Sequence, residues 1–95
     1  MNPIYVSACA LNQTPLDWQG NADNIRHCLQ QARQQGAQIV CLPELCLTGY
    51  GCEDAFLSAN THRQAWQMLR SLLDETKQLI VCVGLPIFHH NTVFN

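Results

Sequence analysis

The chain has 95 residues, of which 47% are hydrophobic and 13% charged, with a formal net charge of −2. This balance excludes a disordered polypeptide, and five basic residues dispersed along the sequence give no cationic stripe, so no nucleic-acid partner is expected. The longest apolar runs, such as residues 79–88, are strand-sized, and the N-terminus has no charged region ahead of its apolar residues. No membrane partner and no secretory leader are therefore expected, and the chain is read as cytoplasmic.

"IYVSACAL", residues 4–11, is rich in β-branched and small apolar residues and ends at the turn-forming "NQTP", which predicts a buried first strand. A helix should follow, capped by Asn21 or Asp23, with Ala22, Ile25, Leu29 and Ala32 on its apolar stripe and Gly36 stopping it. "QIVCL", residues 38–42, reads as a short strand buried on both faces and closing at Pro43. Asn60 or Thr61 can begin a second helix whose apolar face is Ala65, Trp66, Leu69, Leu72 and Leu73, running out near Lys77. "LIVCVGLP", residues 79–86, is a third apolar strand, and "NTVFN", residues 91–95, begins a fourth. Strands alternating with helices argue for an α/β fold with a mainly parallel sheet. The core of so short a chain is small.

Six cysteines, at 9, 28, 41, 46, 52 and 82, show no Cys-x-x-Cys spacing, and no spaced histidine pair accompanies them. They read as reduced, inert thiols in an intracellular protein rather than as disulfides or metal ligands. His89 and His90 are neighbours on an extended segment, which directs them to opposite faces and makes a poor chelate.

Glu44, in "CLPELCLTGYGCEDAF" (residues 41–56), is the one charge in an apolar stretch that runs to Glu53. It lies just past the second strand, at the carboxyl edge of an open α/β sheet where ligands usually bind. Position alone also allows a solvated loop residue. "LPELCLTGYGCEDAF" resembles the first catalytic motif of the nitrilase, or carbon–nitrogen hydrolase, superfamily, with its Pro-Glu-Leu followed by Gly-Tyr. Leu-Thr-Gly-Tyr followed by Cys-Glu-Asp and an aromatic is more closely similar to the glutamine-hydrolysing domain of the glutamine-dependent NAD synthetases. "LNQTPLDWQGNADNI", "VGLP" and residues 91–95 also fall where that family has corresponding segments, so the resemblance spans essentially the whole chain.

The resemblance implies the N-terminal part of a nitrilase-type α-β-β-α sandwich, with residues 1–95 as a partial glutaminase domain and the synthetase domain absent. It implies a Glu-Lys-Cys triad that hydrolyses glutamine, in which a cysteine attacks the amide carbon, a carboxylate moves the proton and a lysine holds the oxyanion. Glu44 matches the family's glutamate, and its apolar neighbours Leu42, Pro43, Leu45 and Leu47 suit a dry pocket that would raise its basicity. Tyr50 matches the motif's tyrosine near the glutamine site, with a buried structural aromatic as the other reading. Gly49 is expected to supply a backbone angle that a Cβ forbids, and Glu53 and Asp54 to open a short helix.

The family's lysine and cysteine belong to later motifs and have no counterpart here. Lys77, Cys46 and Cys52 inherit neither role, and no cation stands by to activate either thiol. The piece alone should be inactive and should expose one apolar sheet face and an edge strand. In the whole protein the resemblance implies ammonia supply for NAD synthesis from nicotinate adenine dinucleotide, with ATP and magnesium in the synthetase domain, and a homo-oligomer. Two alternatives stay open: another carbon–nitrogen hydrolase such as an amidase, and a non-catalytic flavodoxin-like binding module.

Overall fold

The computed structural model describes residues 2–95. Its elements in chain order are β1 (Val6–Ala8), α1 (Trp18–Gln34), β2 (Ile39–Cys41), α2 (Ala59–Ser71), β3 (Ile80–Cys82), β4 (Ile87–His89) and β5 (Thr92–Phe94). Short 3₁₀ segments cover Glu53–Leu57 and Leu73–Thr76. The first three strands form a parallel sheet in the order β1-β2-β3, with Val6, Ile39 and Ile80 in register. Parallel neighbours need long crossovers, and α1 and α2 supply them.

The first helix begins earlier than its polar residues suggest. Asp17, not Asn21 or Asp23, is the N-cap, and its carboxylate accepts the Gly20 N–H. Asn21 is instead buried on the same stripe as Ala22, Ile25, Leu29 and Ala32. Gly36 follows the helix with a φ of +82°, as a terminating glycine should. The second helix starts at Ala59 and ends at Ser71, so the stretch to Lys77 is a tighter 3₁₀ turn rather than a continued helix. Of its expected apolar face, Ala65 and Leu72 are buried and Leu69 packs against the core, whereas Trp66 is 45% and Leu73 59% exposed. The break after Ser71 rotates Leu73 off the stripe.

Both helices lie on one side of the sheet, because α1 touches α2. Val40, central in the row Ser7–Val40–Val81, is fully buried beneath them. The strands are therefore not covered on both faces. Val6, Ala8, Cys41, Ile80 and Cys82 occupy the alternate rows and are exposed, an apolar open face of the expected kind.

The segment 91–95 is not a lone fourth strand. Ile87–His89 forms β4, and Thr92–Phe94 pairs with it antiparallel as β5. The two-residue turn His90-Asn91 has φ of 48° and 61°, the left-handed pair that a tight hairpin requires. That turn also brings the His89 and His90 rings edge to face, 4.0 Å between centroids, rather than to opposite sides. Phe88 of the hairpin lies 5.8 Å from the ring of buried His62 on α2, whose Nε2–H donates to the Phe56 carbonyl at 2.7 Å. Cys9 and Cys28 are joined as a disulfide between the end of β1 and α1, which corrects the reading of all six cysteines as thiols. Their pairing comes from α1 packing beside β1, which no sequence spacing reports. Among the described residues no helix is long and apolar enough to cross a membrane.

Leu29→Ala, which empties a fully enclosed site, is expected to cost about 2–5 kcal/mol. Leu73→Ala should stay within about 0.5 kcal/mol of the parent chain. Urea denaturation of the two variants checks this, and equal losses would contradict the placement of Leu73 outside the core.

Candidate functional site

After β2, Leu42 continues the ladder by donating its N–H to the Cys82 carbonyl at 3.0 Å, and Pro43 then stops it. Residues 44–48 turn back at the carboxyl edge of the sheet. Leu45 takes a left-handed φ of 49°, and the Gly49 N–H closes the turn on the Leu45 carbonyl at 2.8 Å. Gly49 has the expected positive φ, +78°, and a second reason to be glycine: an added Cβ would lie 2.9 Å from the Thr14 carbonyl carbon and oxygen.

The loop is held from both sides. On one, Gly84 lets the chain approach so closely that a Cβ there would meet the Leu45 nitrogen at 2.5 Å and the Pro43 oxygen at 2.9 Å. On the other, successive loop carbonyls are each taken by a donor from residues 13–21. Gln13 Nε2 donates to Cys46 O at 2.7 Å, Asn21 Nδ2 to Leu47 O at 3.0 Å, and the Leu16 N–H to Thr48 O at 2.8 Å. Asn21 also binds both backbone groups of Thr14, accepting the N–H at 2.9 Å and donating to the carbonyl at 2.8 Å. Sequence reasoning missed these roles. An isolated glycine in a strand-like run and a polar residue on an apolar helical stripe are the signals that could have found them.

Glu44 projects from this turn into solvent rather than into the dry pocket expected of it. Leu47 is buried beneath the loop, while Leu42, Pro43 and Leu45 are half-buried. The alternation of side chains around a tight turn sends the leucine inward and the carboxylate out. Tyr50 is likewise no buried aromatic: it is 57% exposed, and its Oη donates to Glu44 Oε2 at 3.0 Å. That hydrogen bond to the carboxylate, aided by slight desolvation and by the carboxylate's charge, pushes the phenol above the ordinary tyrosine range. The second carboxylate oxygen, Oε1, accepts from Asn95 Nδ2, a partner that no local pattern announced.

Beside this group lies a shallow cleft of about 180 Å³ lined by Leu45, Phe56, Pro86, Val93, Phe94 and Asn95. The larger groove, about 570 Å³, runs between the free edge of β1 and α1; Glu44 lines neither space, and the cleft adjoins it through its neighbours Leu45 and Asn95. Cys46 is buried and its thiol donates to Gly84 O at 3.6 Å, with burial pushing it above the usual thiol range. Cys52 is buried against the Thr48 and Gly49 carbonyls, each 3.4 Å away. Lys77 precedes β3, at the opposite edge of the parallel sheet from Glu44, which follows β2. Among the described residues the structure thus unites Glu44 with Tyr50 and Asn95, with Lys77 at the far end of the sheet. Glu53 and Asp54 open the 3₁₀ segment as expected. Among the described residues no group of three or more His, Cys, Asp and Glu side chains converges to hold a metal.

A parallel β-α-β-α-β unit defines the class: an α/β protein whose Glu44 follows the second strand, at the sheet edge where open α/β folds usually bind ligands. The carbon–nitrogen hydrolase family matches residues 5–95, and the chain belongs to that family. It is 38% identical over 94 residues to the glutamine-dependent NAD(+) synthetase of Saccharomyces cerevisiae, covering 97% of this chain and 13% of that protein. Against the corresponding synthetase of Arabidopsis thaliana it is 40% identical over 89 residues, 92% of this chain and 12% of the other. The crystal structure of a glutamine-dependent NAD(+) synthetase from Cytophaga hutchinsonii superposes with a TM-score of 0.93 at 37% identity, over 97% of this chain and 16% of that one. An amidase from Nesterenkonia sp. superposes with a TM-score of 0.73 at 26% identity, over 88% and 32%. The fold is accordingly that of the N-terminal part of a nitrilase-type domain, and the chain spans 12–16% of the length of the synthetases just compared.

Glu44→Gln is expected to lower the Tyr50 phenol toward the ordinary tyrosine range. With the carboxylate gone, ionising the phenol no longer sets two anions side by side and no longer breaks a charge-assisted bond. A pH titration of the Tyr50 ring carbon by NMR reads this directly, and an unchanged midpoint contradicts the contact.

Proposed function

We propose that residues 1–95 form part of a glutamine-hydrolysing domain and that Glu44 is its general base. The observation that carries this reading is a single carboxylate held by side-chain donors at the carboxyl edge of a parallel sheet. The match of the whole chain to glutamine-dependent NAD synthetases supports the substrate. In the complete site a cysteine thiolate attacks the glutamine amide carbon, and Glu44 takes the thiol proton and passes it to the departing ammonia. Glu44 then draws a proton from the water that releases glutamate, while a lysine ammonium stabilises the oxyanion. Tyr50, exposed and bonded to the carboxylate, is the substrate-facing hydroxyl in this reading.

Neither the lysine nor the cysteine is assigned to a residue of this chain, so residues 1–95 alone should not turn over glutamine. In the whole protein, ammonia is delivered to a synthetase domain that uses ATP and magnesium to amidate nicotinate adenine dinucleotide, within a cytoplasmic homo-oligomer. The amidase likeness favours a second reading, a domain acting on small amides without an ammonia-using partner.

The test is ammonia release from glutamine by the full translation product of the gene that carries these residues. Glu44→Gln is expected to lower kcat by about 10²–10⁴-fold, the usual contribution of a general base. Undiminished release by the variant would overturn the assignment, and release from small aliphatic amides but not from glutamine would favour the second reading.

A further inference from the structure

Glu44 has two oxygens, and a terminal carboxylate torsion is broad and nearly two-fold, so one partner cannot fix its plane. Tyr50 Oη occupies Oε2, and Asn95 Nδ2 occupies Oε1. The two donors come from different parts of the chain: Tyr50 is six residues on along the same loop, whereas Asn95 is 51 residues away. Held at both oxygens, the carboxylate has one orientation, and each oxygen keeps a further lone pair for a reacting proton.

The hairpin determines where Asn95 lies. The His90-Asn91 turn sets the pairs His89↔Thr92, Phe88↔Val93 and Ile87↔Phe94. The next position in that register sets Asn95 opposite Pro86, and these two residues share the cleft with Leu45. Pro86 follows Gly84 and Leu85, the segment against which the Pro43–Leu45 backbone rests. One continuous stretch, residues 84–95, therefore supports the Glu44 backbone from below and supplies a donor to its side chain. The donor is a neutral amide, which orients the carboxylate without cancelling its charge as a lysine or arginine would.

We propose that Asn95 is a positioning residue that fixes the plane of the Glu44 carboxylate for proton transfer. The proposal rests on the glutaminase reading above. Asparagine, aspartate and leucine have nearly the same shape, which separates the donor from the volume. In the full translation product, Asn95→Leu is expected to lower kcat by about 10–100-fold, the scale of a misaligned reacting group, with KM changed by less than about threefold. Asn95→Asp should lose more than Asn95→Leu, because it sets a second anion against Glu44, whereas Asn95→His retains a donor nitrogen at similar reach and should recover part of the loss.

A second measurement reads the contact without turnover. In the full translation product, the Asn95 side-chain amide signal in a ¹⁵N spectrum should move on Glu44→Gln; a stationary signal overturns the proposal. Wild-type kcat in Asn95→Leu, where Glu44→Gln is inactive, overturns the proposal alone. Equal losses in the leucine and aspartate variants with matching falls in Tm would reduce Asn95 to a structural role and overturn it as well. Full activity in Glu44→Gln overturns the glutaminase reading and this proposal with it.

Discussion

The carboxamide of Asn21, 1% exposed, is the interaction on which the rest of the site depends. It is a polar group on the apolar stripe of α1, and such burial is costly unless every donor and acceptor is met. Here it is met: Oδ1 accepts from the Thr14 N–H, and Nδ2 donates to the carbonyls of Thr14 and Leu47. A single side chain thereby ties the β1–α1 connection and the β2–α2 loop to the helix between them. Gln13 repeats the device one carbonyl earlier, itself held by Asn24 Nδ2 at 2.9 Å. The result is a loop with no regular secondary structure that is nonetheless fixed at Cys46, Leu47 and Thr48, with Glu44 projecting from its start.

Gly84 works on the opposite side by absence of a side chain. Because no Cβ intervenes, the peptide of Glu44 rests on the backbone that follows β3, and the Leu47 N–H reaches the Gly84 carbonyl at 3.3 Å. Three separate stretches of sequence therefore converge on one turn: residues 13–21 through side-chain amides, residue 84 through close approach, and residue 95 through the carboxylate itself. None of them is near Glu44 in the chain. A site that presents an exposed carboxylate from a loop needs such support, since exposure alone would leave it mobile.

The alternation of apolar runs with helical stripes was enough to read a parallel β-α-β-α-β chain, and Gly36 and Gly49 adopt the positive φ that their positions suggested. Glu44 was placed correctly at the sheet edge from its position after β2. What stayed hidden was long-range. Asn21 looked like a cap because asparagine favours that role, but its spacing to Ile25 and Leu29 puts it in the core. The hairpin turn His90-Asn91 contains no glycine, so its left-handed pair was not apparent. The strands read as buried on both faces because apolar runs are the same whether one face or two are covered; here the helices cover one. The Cys9–Cys28 link and the Asn95–Glu44 bond join residues 19 and 51 positions apart, and no periodicity encodes such pairings.

The claim that Asn21 holds the Glu44 loop is tested most directly by amide hydrogen exchange in Asn21→Ala. The Leu47 and Gly49 amides, which donate to Gly84 and Leu45, should exchange at least about fivefold faster, as expected when a buried clamp worth about 1 kcal/mol or more is removed. The amides of β2, held by the sheet, should change much less. Unchanged protection at Leu47 and Gly49 would show that the loop stands without Asn21 and would contradict the account.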